Sequence, residues 1–124
     1  MIILYGEDDI EDFDIFCEVV KSLNPTAECI NTTDGSETLQ FLDNAIILPD
    51  LIFLDINMPS MDGKACLKII KRDERLKTIP VIVYTTSNNV RDREHCLELG
   101  ATEFVQKPNS LAEVRQKLSR FVQA

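Results

Sequence analysis

Short, strand-like apolar blocks alternate five times with longer stretches in which apolar residues recur every third or fourth position, and this rhythm restricts the fold more than any other property of the chain. Ile2 to Tyr5 reads as a strand, after which Ile10, Phe13, Cys17 and Val20 mark a helix. Ala27 to Asn31 is a second strand, followed by a turn at Asp34-Gly35 and a helix carrying Leu39, Leu42 and Ile46. Leu51 to Leu54 is a third strand. Beyond a loop with Pro59 and Gly63, a helix carries Cys66, Ile69 and Ile70. Pro80 opens a fourth strand, Val81 to Tyr84, and the polar stretch Thr85 to Asn89 leads into a helix that stops at Gly100. Thr102 to Gln106 is the fifth strand. Ser110 then caps a last helix with Leu111, Val114, Leu118, Phe121 and Val122 on one face.

Regular βα alternation produces a parallel sheet with helices on both faces. The first, third and fourth strands are continuously apolar, the pattern of strands buried on both sides, so they belong in the centre. The second, Ala27-Glu28-Cys29-Ile30-Asn31, alternates, and the fifth contains Glu103 and Gln106; both suit edges. The order 2-1-3-4-5 satisfies these demands, giving an α/β, doubly wound (βα)5 sandwich of flavodoxin-like form. The expected organisation is a single domain over residues 1–124, with no linker, low-complexity tract or output domain.

Charge narrows the function. The net charge of -8, from 21 acidic and 13 basic side chains, argues against nucleic acid as a direct ligand, because phosphate backbones need a basic face. No apolar run approaches the roughly 20 residues needed to cross a bilayer, and no basic leader precedes Ile2. Cys17, Cys29, Cys66 and Cys96 form no C-x-x-C pair, and His95 is the one histidine, so a zinc site lacks its ligands. Cys17, Cys29 and Cys66 fall in apolar patterns. They are expected to be reduced core residues, as in a cytoplasmic protein.

In sheets of this topology the site lies at the carboxyl ends of the strands, where strand order reverses. Glu7, Asp8 and Asp9 follow the first strand, Asp55 the third, Thr85 and Thr86 the fourth, and Lys107-Pro108 the fifth. Crowded carboxylates raise one another's pKa unless a cation intervenes. Oxygen ligands select a hard cation, and few protein ligands with room for water favour Mg2+ over Ca2+. The plainer reading of the acidic run is a cap on the first helix, with Asp9 as the capping residue. Asp55 closes a buried strand, either as a loop cap or as a nucleophile toward phosphorus. Mg2+, Lys107 and the Thr85 hydroxyl are the groups to hold a transferring phosphoryl. Pro108 restricts Lys107 to extended geometry and so fixes where the lysine points.

These residues form an ordered set: Glu7-Asp8, then Leu54-Asp55-Ile56-Asn57-Met58-Pro59-Ser60-Met61-Asp62-Gly63, then Thr85, then Lys107-Pro108. The set resembles the receiver domain of two-component response regulators along essentially the whole chain. The resemblance implies that Asp55 is the phosphoacceptor and that Asp8 binds Mg2+ directly. It makes Glu7 a metal ligand through water, and the Asn57 carbonyl a further one. Thr85 would bond the phosphoryl group and act as a switch with the aromatic Phe104, which packs inward when Thr85 moves. Lys107 would pair with the acyl phosphate. Three departures stand out: Gly6 for a bulky apolar residue, implying a looser loop below the metal; Gln106 for an apolar one; and Phe104 for the frequent tyrosine.

The resemblance further implies a sensor histidine kinase or phosphotransfer protein as donor and a downstream protein target. The acidic stretch Glu7-Asp8-Asp9-Ile10-Glu11-Asp12 is also similar to short stand-alone regulators, some of which pair with phytochrome-like kinases. Such a protein is not an enzyme beyond its own phosphorylation and dephosphorylation. With Ala124 closing the chain, its output would be protein binding or onward phosphotransfer. Asn57 and Ser87 are expected to tune the phosphoryl lifetime.

Two rivals remain on sequence grounds. A phosphatase of the haloacid dehalogenase type would need an acid where Asn57 stands. A flavodoxin-like cofactor binder would need a phosphate-cradling loop where Glu7-Asp8-Asp9 stands. The cognate kinase, the target, the oligomeric state and the isomer of the Lys107–Pro108 bond are not legible in the chain.

Overall fold

Alternation becomes five parallel strands, each followed by a helix: β1 (Ile2–Gly6), α1 (Ile10–Leu23), β2 (Glu28–Thr32), α2 (Gly35–Asn44), β3 (Leu51–Leu54), α3 (Gly63–Arg72), β4 (Val81–Thr85), α4 (Val90–Glu98), β5 (Glu103–Gln106) and α5 (Leu111–Leu118). The structure, a computed structural model, describes residues 1–59 and 61–123. Ser60 of the loop motif and Ala124 lie outside the described residues. The sheet order is β2-β1-β3-β4-β5, as the burial argument requires. Register pairs Tyr5 with Phe53, Gly6 with Leu54, and Thr85 with Gln106.

Strand side chains alternate between faces, and this splits the core in two. Leu4, Ile52, Leu54, Val81 and Val83 point one way, against Leu42 of α2, Leu67 and Ile70 of α3, and Cys96 of α4. Ile3, Tyr5, Phe53, Ile82 and Tyr84 point the other way, against Phe16 and Val20 of α1 and Val114 and Leu118 of α5. The second half is an aromatic cluster. Tyr5 and Phe16 have ring centroids 4.4 Å apart, Phe16 and Phe53 4.9 Å, and Phe53 meets Tyr84 edge-on at 6.0 Å. Such edge and tilted pairs add about 0.5–1.5 kcal/mol each beyond area burial.

The helices follow their caps. Asp9, Asp34, Asp62, Asn89 and Ser110 each accept a hydrogen bond from a first-turn amide, satisfying donors the helix cannot. The N-cap roles of Asp9 and Ser110 are therefore as the sequence implies. Gly100, at φ 110°, takes the left-handed conformation after α4.

Element faces differ from the sequence reading at their ends. Ile10 is exposed, and α1 buries Phe16, Val19 and Val20, because Phe16 must reach the aromatic cluster and its i+3 and i+4 neighbours share that stripe. Helix α2 stops at Asn44 and leaves Ile46 in solvent. Its terminal carbonyls on Leu42 and Ala45 accept from the Arg75 guanidinium, contributed by the segment after α3. Leu111 is exposed, while Val122, past the end of α5, is buried. The four cysteines are free thiols, Cys66 and Cys96 buried and the others half-buried. No described helix is long and apolar enough to cross a membrane. No cis peptide bond occurs among the described residues, so Lys107–Pro108 is trans.

Candidate functional site

Each strand delivers one group to the same rim. Gly6 is the last residue of β1, and the Glu7 amide donates to the Thr32 carbonyl at 2.8 Å, so the backbone is still held by β2 as it leaves the sheet. The Asn31 side-chain amide donates to the carbonyls of Tyr5, Glu7 and Thr32 at 3.0–3.1 Å. This clamp fixes the exit path and turns Glu7 inward, 3% exposed. Asp9 goes to the helix cap instead, accepting from the Glu11 and Asp12 amides. Asp8 stands exposed at the rim.

Asp55 follows β3 and is 5% exposed. Its amide donates to the Gly6 carbonyl at 3.0 Å. Its Oδ1 accepts from the Asn57 amide at 2.9 Å, and its Oδ2 from Lys107 Nζ at 2.9 Å. The loop beyond it folds back on Gly63, whose amide donates to the Ile56 carbonyl. A Cβ on Gly63 would lie 2.6 Å from Ile56 Cα and closer still to the Asp55 carbonyl oxygen, so only glycine allows this approach.

Thr85 ends β4 fully buried, its Oγ1 accepting from the Ser87 amide at 3.3 Å. The Lys107 amide donates to the Thr85 carbonyl at 2.6 Å, which aligns the lysine with the threonine. Lys107 Nζ then meets Glu7 at 2.9 Å, Asp55 at 2.9 Å and Asp12 at 2.5 Å. The rings of Tyr5 and Tyr84 lie beneath, 6.0 and 5.8 Å from the ammonium, within reach of a cation–π attraction.

Burial and charge crowd this cluster. Burial, then a side-chain hydrogen bond with Asp55, pushes the Glu7 carboxyl up to about 8, against the pull of Lys107. Burial also pushes Asp55 upward, but bonds from Glu7, the Asn57 amide and Lys107 outweigh it and hold Asp55 below the ordinary carboxylate range. Burial would lower Lys107; the carboxylates of Asp12, Glu7 and Asp55 reverse that and keep it charged. Burial also raises the Tyr5 phenol. The acid pair thus keeps a proton that separate carboxylates would have lost.

A divalent cation answers the same excess of negative charge. Glu7 and Asp55 are buried oxygen donors with one ammonium between two carboxylates, and that donor chemistry fits a hard cation such as Mg2+. Among the described residues no three acidic, histidine or cysteine side chains are gathered closely enough to hold a metal alone, since Asp8 lies outward of the other two. The site therefore brings Glu7, Asp55 and Lys107 together, places Thr85 one strand away, and keeps Asp8 at the edge.

Phe104 is buried on the α2–α3–α4 face of the sheet, already in the inward position. Gly6 does not loosen the loop. A Cβ there would lie 2.9 Å from Leu54 Cδ2 and 3.2 Å from Thr38 Oγ1, so neighbouring side chains fill the space and the strand stays paired through this residue. Gln106 is exposed on the edge strand. Asp12 and Asn31 are contacts that the motifs do not mark. Asp12 lies four residues before Phe16, on the helix face turned to the sheet, a phase readable in retrospect.

A doubly wound sheet with a buried aspartate, an acidic partner and a lysine at its switch point defines the receiver class. The chain belongs to the response regulator receiver domain family, whose model matches residues 7–119. It is 35% identical over 118 residues to the response regulator Rcp1 of Synechocystis, covering 91% of this chain and 80% of that one. It is 34% identical over 109 residues to the sensor histidine kinase CheAY of Helicobacter pylori, covering 88% of this chain but only 13% of that protein. Two solved structures superpose with a TM-score of 0.90. The phosphorylated cyanobacterial phytochrome response regulator RcpA is 31% identical, with 96% and 89% of the chains covered. The Mn2+-bound form of Rcp1 is 32% identical, with 99% and 95% covered.

Proposed function

We propose that this receiver domain accepts a phosphoryl group on Asp55 from the phosphohistidine of a sensor kinase or phosphotransfer protein. The observation that carries the proposal is the setting of Asp55: buried, with one oxygen on the Asn57 amide and the other on Lys107, contacts that favour its ionised form. An ionised carboxylate is the nucleophile; a protonated one is not. In the transfer, the N–P bond of phosphohistidine breaks, an O–P bond to Asp55 forms, and the imidazole leaves with a proton from solvent. Lys107 stays charged and meets the phosphoryl oxygens. Mg2+, which Asp8, Asp55 and the Asn57 carbonyl would hold directly and Glu7 through water, would supply charge neutralisation. The Mn2+-bound relative supports a divalent cation at this rim.

The acyl phosphate adds about 1.5–2 negative charges. The Thr85 hydroxyl is the neighbouring group able to donate to it, and turning toward it releases the Ser87 amide. Phe104 and α4 then repack to present a surface to a protein target. The turnover is limited to the protein's own phosphorylation and hydrolysis, so it acts as a switch rather than as an enzyme on other substrates. The phosphorylated phytochrome regulator among its structural relatives favours a phytochrome-type kinase as donor. The free thiols suit a cytoplasmic setting.

Labelling with 32P-acetyl phosphate or a phosphohistidine donor tests this. Wild type should acquire Mg2+-dependent, hydroxylamine-labile label, and Asp55→Ala none. Equal labelling of the two proteins overturns the assignment.

A further inference from the structure

Asp12 closes the acidic stretch after β1 but has no role among the phosphoacceptor, metal and switch residues, yet it makes the shortest contact to the site lysine, 2.5 Å from Oδ2 to Nζ. We propose that Asp12 is a positioning residue that anchors the Lys107 ammonium at the α1 edge of the site throughout the phosphorylation cycle. The proposal rests on the reading of Asp55 as phosphoacceptor.

A lysine ammonium has three protons. Lys107 gives them to Glu7, Asp55 and Asp12. Two of those acceptors change in the cycle. Glu7 is an expected metal ligand, and Asp55 becomes an acyl phosphate. Asp12 alone keeps its chemistry, so it is the fixed point of the triangle.

Its own placement is firm. The Asp12 amide is held by the Asp9 cap, and Phe16, one turn on, is buried in the aromatic cluster.

The lysine needs an anchor. Its long stem is flexible, so the position of the ammonium is set by its partners. A cavity of about 310 Å3 opens beside it between α1 and α5, lined among others by Asp12, Tyr84, Lys107, Pro108 and Leu111. Without Asp12 the ammonium has room to swing out of the site. The contact is not an ordinary surface pair, because the Lys107 side chain is only 9% exposed while that of Asp12 is 29% exposed. A half-desolvated pair of this kind holds geometry better than a solvated one.

Misplacing a group by about 1 Å costs up to a hundredfold in rate. Loss of one of three tethers should cost less, so Asp12→Ala is expected to slow phosphorylation by acetyl phosphate about tenfold. Asp12→Asn, which keeps an oxygen acceptor of the same shape, should recover part of that rate. The Mg2+ concentration for half-maximal rate should not move in either variant, since Asp12 is no metal ligand here. A second readout needs neither metal nor phosphate. In 15N NMR of the free protein, the Lys107 ammonium protons should exchange measurably faster in both variants, and fastest in Asp12→Ala. Unchanged or faster labelling in both variants overturns the proposal, the latter by showing that Asp12 competes for the lysine. Unchanged ammonium exchange overturns it as well. If wild type takes no label, the phosphoacceptor reading fails, and the ammonium signal alone decides whether Asp12 holds Lys107. Asp12→Asn is isosteric and carries the test if Asp12→Ala does not fold.

Discussion

Two lysine-centred ion networks flank the carboxyl end of the sheet, and their distances are nearly the same. Lys107 lies 2.5–2.9 Å from Glu7, Asp12 and Asp55. Lys64 of α3 lies 2.6 Å from Asp92 of α4. Asp92 also accepts from Ser87 Oγ at 2.7 Å, and the Ser87 amide donates to Thr85. The difference is solvent. Lys107 and its partners Glu7 and Asp55 have side chains 9%, 3% and 7% exposed, whereas Lys64 and Asp92 are 27% and 26% exposed. Buried, the charges move one another's protonation, Glu7 upward and Asp55 downward. At the surface, Lys64 and Ser87 hold Asp92 below its usual pKa, and this run of hydrogen bonds ties α3 and α4 to Thr85. Equal geometry thus does different work in different dielectric surroundings.

Removing Lys107 should break this contrast most severely. Lys107→Met leaves Glu7 and Asp55 facing each other without their cation. Loss of one charge-stabilising donor from a phosphoryl-transfer site typically costs 10²–10³ in rate, so Asp55 labelling from acetyl phosphate should fall by about that factor. Stability in urea should fall by about 3 kcal/mol, the low end for breaking a buried pair, because Glu7, already pushed up to about 8, leaves Asp55 as the main uncompensated charge. A labelling rate within about twofold of wild type would remove the buried network from the chemistry.

Gly63 is the joint between the two networks, preceding Lys64 and packed on the Asp55 backbone. Gly63→Ala forces the Asp55 loop to shift, at about 1–3 kcal/mol for overpacking. Labelling should fall along with stability, as Asp55 leaves the Lys107 and Asn57 donors. A variant with wild-type urea midpoint and labelling rate would show that the loop has slack.

The parts of the molecule legible in the sequence are those set by local pattern. Leu51 to Leu54 and Val81 to Tyr84 carry no polar residue, so their central place follows from burial alone. The N-caps at Asp9 and Ser110 are short-range chemistry and were equally readable. Asp55, Thr85 and Lys107 are recognisable because strand ends converge in this topology. What escaped depends on phase and distance. Ile10 looks like a core residue until the rotation of α1 is set by Phe16 against Tyr5 and Phe53. The end of α2 is capped by Arg75, more than two dozen residues away in the chain, so no local signal marks it. Asp12 meets a lysine from the last loop, and Asn31 clamps three carbonyls from the side of an edge strand. Neither contact has a motif, because each is made by tertiary placement.

The surface network supplies the smallest and most discriminating test. Asp92→Ala removes the contacts to Lys64 and Ser87 but leaves no buried charge behind. Surface pairs contribute about 0–1 kcal/mol, so the urea midpoint should barely move. The Asp55 labelling rate should stay within about twofold, since no group at the phosphoryl site is lost. What should change is the switch: with Ser87 untied, Thr85 and the start of α4 are freer, and amide exchange should rise over Ser87 to Arg93. Ser87→Ala should reproduce that pattern and, if Ser87 tunes hydrolysis as the sequence implies, also alter the lifetime of the label. Salt separates the two networks further. At about 1 M ionic strength the screening length is about 3 Å. The effect of Asp92→Ala should then fade, while that of Lys107→Met persists, because water and ions reach the first pair and not the second. Equal salt sensitivity of the two variants would mean that burial does not distinguish these networks, and the division into a chemical and a relaying cluster would fall.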